Sequence, residues 1–422
     1  MSGVAGLRGT QDWGTQERPT NFRERILFIS PNGNAPIFAL TSKAGKYSVN
    51  DPQFQWWAES QNLVRINTSG SMVATDTLVT CNVSGAVNDP GVGSAPMSAL
   101  YATATNLKQG DVMMVEPAAD AVTYTQEFVQ VDTVVSDTQF SIRRGAGGTT
   151  PASIPNNSWL TLIGSSFSEG TSAPRAVSRN PVMFSNYIQI FKDTYELTGT
   201  AAETFARTGN AWSNDKKRKM FDHARAIEMS FLFNPPAIQT TGDNGKPLRY
   251  MGGLRSFIPS TNTTVFTTGA GATTAQNFAT ALQPAFMFDL GGGDTRIGFC
   301  GNTARVELGK VIQAATGVKI ELGNPVKLFG IDFQEYILPM GRLLLKSHPL
   351  LSQHPLYQRS LYVLDFSVIK YTTMKGRPDA KIKDDVQLPD EDVRRGYIQT
   401  DCSLMVDGGG LSCAYLGGIT AT

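Results

Sequence analysis

The 422-residue chain has few cysteines, few histidines and almost no net charge, and each shortage excludes a class of site. Its four cysteines form no CxxC motif, and His348 and His354 have no cysteine or clustered acid nearby, so we expect no metal site and no cofactor. Cys402 and Cys413 flank a glycine-rich turn and can face each other across a hairpin, but reduced thiols are the favoured state. We expect His223 to be structural, because no histidine or carboxylate lies four residues from it.

The net charge is only +1, from 37 Lys and Arg against 36 Asp and Glu. Proteins that bind nucleic acid through its phosphates usually carry a clear basic excess, so we expect DNA to be at most a weak, non-specific neighbour. The basic run 216–219 is offset by Asp215, Asp222 and Glu228, and four consecutive helical residues spread over all faces. This run is therefore interpreted as a solvated or salt-bridged surface.

Long hydrophobic runs are also missing. No stretch of about 18 apolar residues is present that would span a membrane. Residues 1–19 are polar and lack the apolar segment of a secretory signal. We expect no membrane partner.

Each partial match to a catalytic or cofactor-binding motif lacks at least one required residue. Gly245-Lys246 has Thr240 in place of the first glycine of a phosphate-binding loop and Pro247 in place of its hydroxyl residue. Two Gly-Ala-Gly stretches, beginning at residues 145 and 269, have threonine at the third glycine position of a dinucleotide-binding motif. The segment 410–414 departs from the nucleophile-elbow pattern at its last residue. We expect no catalytic residues and no enzymatic activity.

The clearest positive signal is a helix over residues 213–233. Ser213 or Asn214 can cap its first turn, and Asn234-Pro235-Pro236 ends it, because proline supplies no backbone donor. At 1.5 Å per residue, the helix is about 30 Å long. Apolar residues at helical spacing predict the packing face, which consists of Met220, Ala224, Ile227 and Phe231.

Two further helices are predicted towards the C-terminus. Phe278, Leu282 and Phe286 have helical spacing within residues 274–288. A helix over residues 302–315 begins at a capping Asn302, and Gly317 is placed for a left-handed C-terminal cap. Its predicted apolar side consists of Val306, Val311 and Ile312.

Strands are predicted over much of the remaining sequence. A small all-β module spans about residues 67–163, where turn clusters separate alternating stretches such as 77–83, 127–131 and 138–143. This module has three Lys and Arg against eight Asp and Glu, hence about −5, and we interpret it as a solvated surface unit. Later strands are predicted at 187–191, 326–329, 331–337, 341–346 and 361–366, with a final hairpin over 397–415 across Asp407–Gly410.

Residues 1–60 are irregular but rich in aromatic side chains, in which disordered tails are depleted. Such an arm should lie either on its own domain or on a neighbouring subunit. The candidate inter-subunit contacts are Trp13, Phe22, Phe28, Phe38, Trp56 and Trp57.

The order of these elements resembles the major capsid proteins of tailed bacteriophages, which have the Hong Kong 97-type fold. The stretch 141–149, Ser-Ile-Arg-Arg-Gly-Ala-Gly-Gly-Thr, is similar to one in the subgroup whose extended loop carries a β-domain. The resemblance implies an α+β fold with an N-terminal arm (1–60) and an extended loop with its inserted module (61–208). It further implies a peripheral domain with a long spine helix (209–244), an axial domain (245–300), and a segment 301–422 completing both domains, with 302–315 as the second peripheral helix.

The implied function is a shell protein that assembles with itself into hexamers and pentamers of an icosahedral head around double-stranded DNA. Implied partners are a portal protein and scaffolding or decoration proteins, and the implied location is the virion, assembled in the bacterial host cytoplasm. Two alternatives stay open. One is an encapsulin-like compartment shell, and the other is a β-rich carbohydrate-binding or hydrolytic protein, which would need a carboxylate pair in a cleft.

Overall fold

The computed structural model describes residues 37, 45–59, 64–81, 104–116, 127–178, 181–204, 209–239, 242, 244–267, 272–288, 290–313, 321–322, 325–328, 331–377 and 381–421. Helices and strands are mixed along these residues, so the fold is of the α+β class. Four predicted arm contacts, Trp13, Phe22, Phe28 and Phe38, and the predicted cap Gly317 lie outside the described residues.

The helices of the described residues include one that is much longer than the others. In chain order they are α1 (Gly199–Glu203), α2 (Ala211–Phe233), α3 (Leu254–Phe257), α4 (Ala275–Phe286), α5 (Asn302–Gln313) and α6 (Pro349–Gln353).

The strands are mostly short. In chain order they are β1 (Lys46–Val49), β2 (Gln53–Ala58), β3 (Arg65–Asn67), β4 (Leu78–Thr80), β5 (Asp111–Glu116), β6 (Phe128–Val134), β7 (Gln139–Arg143), β8 (Trp159–Ser165), β9 (Val182–Tyr187), β10 (Gln189–Thr198), β11 (Ala237–Gln239), β12 (Leu248–Tyr250), β13 (Thr263–Val265), β14 (Thr295–Cys300), β15 (Glu321–Leu322), β16 (Val326–Leu328), β17 (Ile331–Leu338), β18 (Gly341–Ser347), β19 (Leu361–Leu364), β20 (Ile369–Met374), β21 (Lys381–Lys383), β22 (Val393–Val406) and β23 (Ala414–Gly417).

Three sheets and two ribbons organise the described strands. A five-stranded sheet has the order β1-β20-β22-β10, with β21 also paired to β22. An eight-stranded sheet has the order β13-β23-β19-β14-β18-β17-β15, with β16 paired to β17. A six-stranded sheet has the order β3-β8-β5-β6-β7-β4, and the ribbons are β2–β9 and β11–β12. Strand β1 runs parallel to β20, so that Lys46 lies opposite Tyr371.

The long helix α2 ends as predicted but begins earlier. Asn210 has an extended backbone, and its side-chain oxygen accepts a hydrogen bond from the Ser213 backbone N–H at 3.1 Å. Asn210 is therefore the N-cap, and the predicted caps Ser213 and Asn214 already lie in the helix. At the other end Asn234 leaves helical geometry directly before Pro235.

The packing face of α2 differs from the predicted one in its N-terminal half. Ile227 and Phe231 are buried, Ala224 is half-buried, and Met220 is 46% exposed, which corrects its predicted packing role. The buried positions are His223, Ile227, Glu228, Phe231 and Leu232. The predicted face contains only Ile227 and Phe231 of these five. Leu232, next to Phe231, lies off the predicted positions, and His223 and Glu228 are polar residues with hydrogen-bond partners on distant elements.

Helix α2 shares one core with the five-stranded and eight-stranded sheets. The ring of Phe231 contacts that of Tyr371 in β20 at a centroid distance of 6.2 Å, and Phe233 contacts Tyr362 in β19 at 6.3 Å. Burying an aromatic or aliphatic side chain of this size contributes about 2 kcal/mol. The helix is thus held to both sheets at its C-terminal half.

Helices α4 and α5 both contribute residues to a second core on the eight-stranded sheet. Phe278 and Leu282 of α4 are buried as the spacing predicts. In α5 the buried residues are Ala304, Leu308 and Val311, whereas Val306, predicted to be apolar packing surface, is 60% exposed.

The predicted C-terminal hairpin is wrong. Strand β22 pairs with β10, β20 and β21, whereas β23 pairs with β13 and β19 in the other sheet. Between them, Gly408 and Gly409 both have positive φ, and a Cβ on Gly409 would come within 2.5 Å of the Phe184 ring. The glycine-rich sequence correctly predicts a turn at this point, but the turn leads from the five-stranded sheet into the eight-stranded sheet.

The module predicted around residues 67–163 is a closed β-structure. Strands β6 and β7 coincide with predicted stretches, and the backbone N–H of Ser69 donates to Thr80 O at 2.7 Å, which joins the ends of β3 and β4. Its interior is apolar and separate from the other cores. The module therefore has a core of its own.

The four cysteines are buried and form no disulfide, and Cys402 and Cys413 do not face each other across a hairpin. Within the described part of the chain, no helix is long and apolar enough to cross a membrane, and no group of His, Cys, Asp and Glu has the geometry to hold a metal ion.

Candidate functional site: surfaces for assembly

The ribbon β2–β9 joins the body of the protein to the β-module, and one of its faces is buried. Trp56 is only 5% exposed, its indole N–H donates to Val406 O at 3.0 Å, and its ring stacks on Phe184 at 6.1 Å. Its partners all lie in its own chain. The predicted inter-subunit contact of Trp56 is therefore corrected, since its side chain is not available to a neighbour.

The other face of the ribbon carries an exposed apolar pair. Trp57 is 61% exposed and lies directly opposite Met183, which is also exposed. Directly opposed side chains of antiparallel strands contact each other. Trp57 therefore remains a predicted contact with a neighbouring subunit, and Met183 extends the same patch.

Asn186 fixes the ribbon to the body. Its side-chain N–H groups donate to Leu404 O at 2.7 Å and Gly252 O at 3.1 Å, and its side-chain oxygen accepts from the Gly252 backbone N–H at 2.6 Å. The residue is fully buried. One amide thus joins β9, β22 and the segment before α3, which sets the direction in which the ribbon leaves the body.

A buried pair anchors residue 37 to the long helix. Glu228 Oε1 accepts from the Ile37 backbone N–H at 2.9 Å and lies 2.7 Å from His348 Nε2. Because His348 Nδ1 accepts from the Leu351 backbone N–H, the hydrogen is on Nε2 and is donated to Glu228. Glu228, interpreted from the sequence as offsetting charge on a solvated helix surface, is instead fully buried.

His223 is held between two strands of the five-stranded sheet. Its Nδ1 lies 2.6 Å from Asp193 Oδ2 in β10, and its Nε2 lies 2.8 Å from Thr400 Oγ1 in β22. The order carboxylate–imidazole–hydroxyl is that of a nucleophile with its base. Thr400 is only 1% exposed, however, so a substrate cannot reach its hydroxyl, and the arrangement supports the structural role predicted for His223.

Two of the four residues in the basic run 216–219 of α2 form salt bridges. Lys216 Nζ lies 2.6 Å from Asp384, and Arg218 pairs with Asp215 at 3.0 Å. Lys216 and Tyr195 both donate to the Asp384 carboxylate, which holds its pKa below the ordinary value. Because Lys217 is exposed, this agrees with the interpretation of the run as a solvated or salt-bridged surface.

The stretch 141–149, which carries the sequence resemblance, is organised by a buried ion pair. Arg144 Nε and Nη2 donate to the two oxygens of Glu127 at 2.6 and 2.7 Å, and both side chains are buried. Arg144 also donates to the carbonyl oxygens of Val73 and Ala152. Burial would raise the pKa of Glu127, but the bonds from Arg144 and the backbone outweigh it, so this pKa lies below its ordinary value of 4.5.

The subunit therefore has a body, a module with its own core on a two-stranded ribbon, and exposed apolar residues, and none of the groups described above is an accessible catalytic group. The family model of the SU10 major capsid protein matches residues 7–415. The chain belongs to this family. Its function is that of a phage major capsid protein, a structural component of the virion.

A curated relative gives the same result. The major capsid protein of Pseudomonas phage PaMx41 is 26% identical over 393 residues, which cover 91% of this chain and 85% of that protein. The family and the α+β architecture agree with the predicted Hong Kong 97-type fold.

Solved structures overlap more loosely. That of Mycobacterium phage Cain has a TM-score of 0.45 at 7% identity and covers 97% of this chain and 96% of that one. The capsid of a native GTA particle has a TM-score of 0.42 at 10% identity, with coverages of 97% and 98%. The holo-SrpI encapsulin complex from Synechococcus elongatus PCC 7942 has a TM-score of 0.39 at 12% identity, with coverages of 57% and 76%. The family assignment rests on the sequence matches.

Proposed function

We propose that this capsid protein assembles into hexamers and pentamers of an icosahedral head that encloses double-stranded DNA. The observation that carries the proposal is the family match over residues 7–415, which includes the body, the ribbon and the module. The exposed pair Trp57–Met183 on the ribbon supplies apolar surface of the kind that subunit interfaces bury.

The packing of the helices on the sheets supports an assignment of these elements to domains. We propose that α2 and the five-stranded sheet form the peripheral domain, and that the eight-stranded sheet forms the axial domain around which copies gather. Residues 1–60 are the proposed arm and 61–208 the proposed extended loop. Because α5 and α4 contribute to the same second core, residues 302–313 are proposed as part of the axial domain rather than of the peripheral domain.

Further partners belong to the same proposal. A portal protein and scaffolding or decoration proteins are proposed as partners, with assembly in the bacterial host cytoplasm. DNA is proposed as a weak, non-specific neighbour because the net charge is +1.

Electron microscopy with light scattering on the purified full chain tests the proposal. The expected result is closed particles or rings of five and six subunits. If the chain stays monomeric both alone and when co-expressed with the genes that flank its own, self-assembly into capsomers is refuted.

A further inference from the structure

The five-stranded sheet has one face that α2 does not cover, and this face is basic. Tyr195 of β10 contacts Trp212 of α2 at 4.8 Å and lies opposite Gly396 of β22, so these residues point towards the helix. The residues of β10 and β22 that alternate with Tyr195 and Gly396 point away from the helix, towards the outer face of the sheet. Lys192 and Lys381 lie on either side of Gln399 on this outer face.

Three lysines are concentrated there. Lys383 lies two residues along from Lys381, opposite Tyr397. At a strand spacing of about 4.8 Å, the Cα atoms of Lys192 and Lys381 are about 10 Å apart. Lys192 and Lys383 are exposed, and none of the three lysines has an ion pair within the residues that the structure describes.

The acids of the same face are already neutralised. Asp401 is buried and pairs with Arg377 at 2.6 Å. Glu196 pairs with Arg395 at 2.8 Å. The lysines are therefore a surplus of like charge, which is unfavourable until an anionic partner approaches.

The β-module has the opposite surplus. Arg143 pairs with Asp132 and Arg144 with Glu127, so both of its arginines are engaged. Asp76 and Asp137 are exposed and have no ion pair among the described residues. The net charge is −5 for the module and +1 for the whole chain, so the net charge of the rest of the chain is +6.

We infer that the lysine face of Lys192, Lys381 and Lys383 binds the acidic β-module of a second copy of this chain. The inference rests on the proposed function, since it requires copies to assemble. Lys192 and Lys383 are exposed within their own chain, so the chain's own module does not cover them. Complementary charge would select the partner and its register, and the apolar pair Trp57–Met183 would add buried area.

Zero-length cross-linking tests the contact directly. Particles are isolated from cells that express the full chain with its flanking genes, half the chains being labelled with ¹⁵N, and are treated with a carbodiimide. The expected products are amides from Lys192, Lys381 or Lys383 to Asp76 or Asp137 in mixed-isotope pairs. Particles in which these lysines form amides only within one chain, or none to the module, would overturn the inference.

Charge reversal supplies a second test. K192E/K383E should lower the yield of closed particles about tenfold or more, because like charges would then face each other. Adding D76K/D137K should restore it. The matched control K217E/K246E reverses two exposed lysines elsewhere and should leave the yield unchanged.

The outcomes separate the two proposals. Wild-type chains that form no particles would refute the proposed function and this inference together. Wild-type particles with an unchanged yield for K192E/K383E would overturn the inference alone. An unchanged yield combined with weaker retention of a DNA duplex would assign the lysine face to DNA and would also overturn it.

Discussion

At the scale of single residues, the polar groups buried in this subunit are joined to partners far away in the sequence. Arg144 and Glu127 illustrate this in the module, where one guanidinium connects a carboxylate and several backbone carbonyls. Removing one partner of a buried ion pair leaves the other uncompensated, which is much costlier than losing a surface pair.

Arg144→Met should therefore destabilise the module by about 3–5 kcal/mol. The neighbouring Arg143→Met is the matched control, because Arg143 is largely exposed and its loss should cost no more than about 1 kcal/mol. Denaturant unfolding of the full chain, followed by a probe in the module, measures both. If the two variants lose the same free energy of unfolding, the Arg144–Glu127 pair does not stabilise the module.

The same pair predicts a dependence on pH. The folded pKa of Glu127 is depressed below 4.5, so its contribution is fully present above that value and is lost as the pH falls through the folded pKa. The free energy of unfolding of the module should therefore decrease below about pH 4.5. In Glu127→Gln this part of the decrease should be absent. If the free energy of unfolding depends on pH in the same way in the wild type and in Glu127→Gln, the decrease is not due to Glu127.

At the scale of elements, helix α2 and the glycine turn after β22 show what could be predicted from the sequence. The end of α2 was predicted correctly because Pro235 fixes it locally. The burial of His223 and Glu228 was missed because their partners, such as Asp193 and His348, lie on other elements. The hairpin failed for the same reason, since glycines mark a turn but do not say which sheet receives the next strand.

Two substitutions on α2 separate its packed face from its open one. Ile227→Asp should destabilise the subunit by about 3 kcal/mol or more, because it buries an unpaired charge in the shared core. Met220→Asp should change stability by no more than about 0.5 kcal/mol, since that side chain is half exposed. Thermal and denaturant unfolding compare the two, and a large loss in Met220→Asp would show that the exposed position is misassigned.

At the scale of the whole molecule, the N-terminal segment belongs partly to the subunit's own core. Ile37 is buried and bonded to Glu228, and β1 pairs with β20. Sequence composition predicted an arm rich in contacts but could not say which residues stay in their own chain, because aromatic side chains suit both environments. The described part of residues 1–60 contains both kinds, with Trp56 buried and Trp57 exposed.

A deletion that tests the arm must therefore stop before residue 37. Removing residues 1–30 should leave the thermal unfolding of the subunit nearly unchanged but should prevent the closure of shells. Removing residues 1–50 should lower stability as well, because Ile37 and β1 are lost. Electron microscopy measures the closure of shells, and calorimetry measures the thermal stability of the subunit. Normal shells from the chain that lacks residues 1–30 would show that these residues are not needed for assembly.

The pairing of early with late strands has a consequence for synthesis on the ribosome. Strand β1 pairs with β20, β10 with β22, and Trp56 bonds to Val406, 350 residues away. A nascent chain that lacks its C-terminal segment therefore has unpaired edges in the five-stranded sheet and an unfinished attachment for the ribbon. Contacts of such long range form late. We therefore expect prematurely terminated chains to lack the orientation of ribbon and module that the finished subunit has, and not to join the proposed shell.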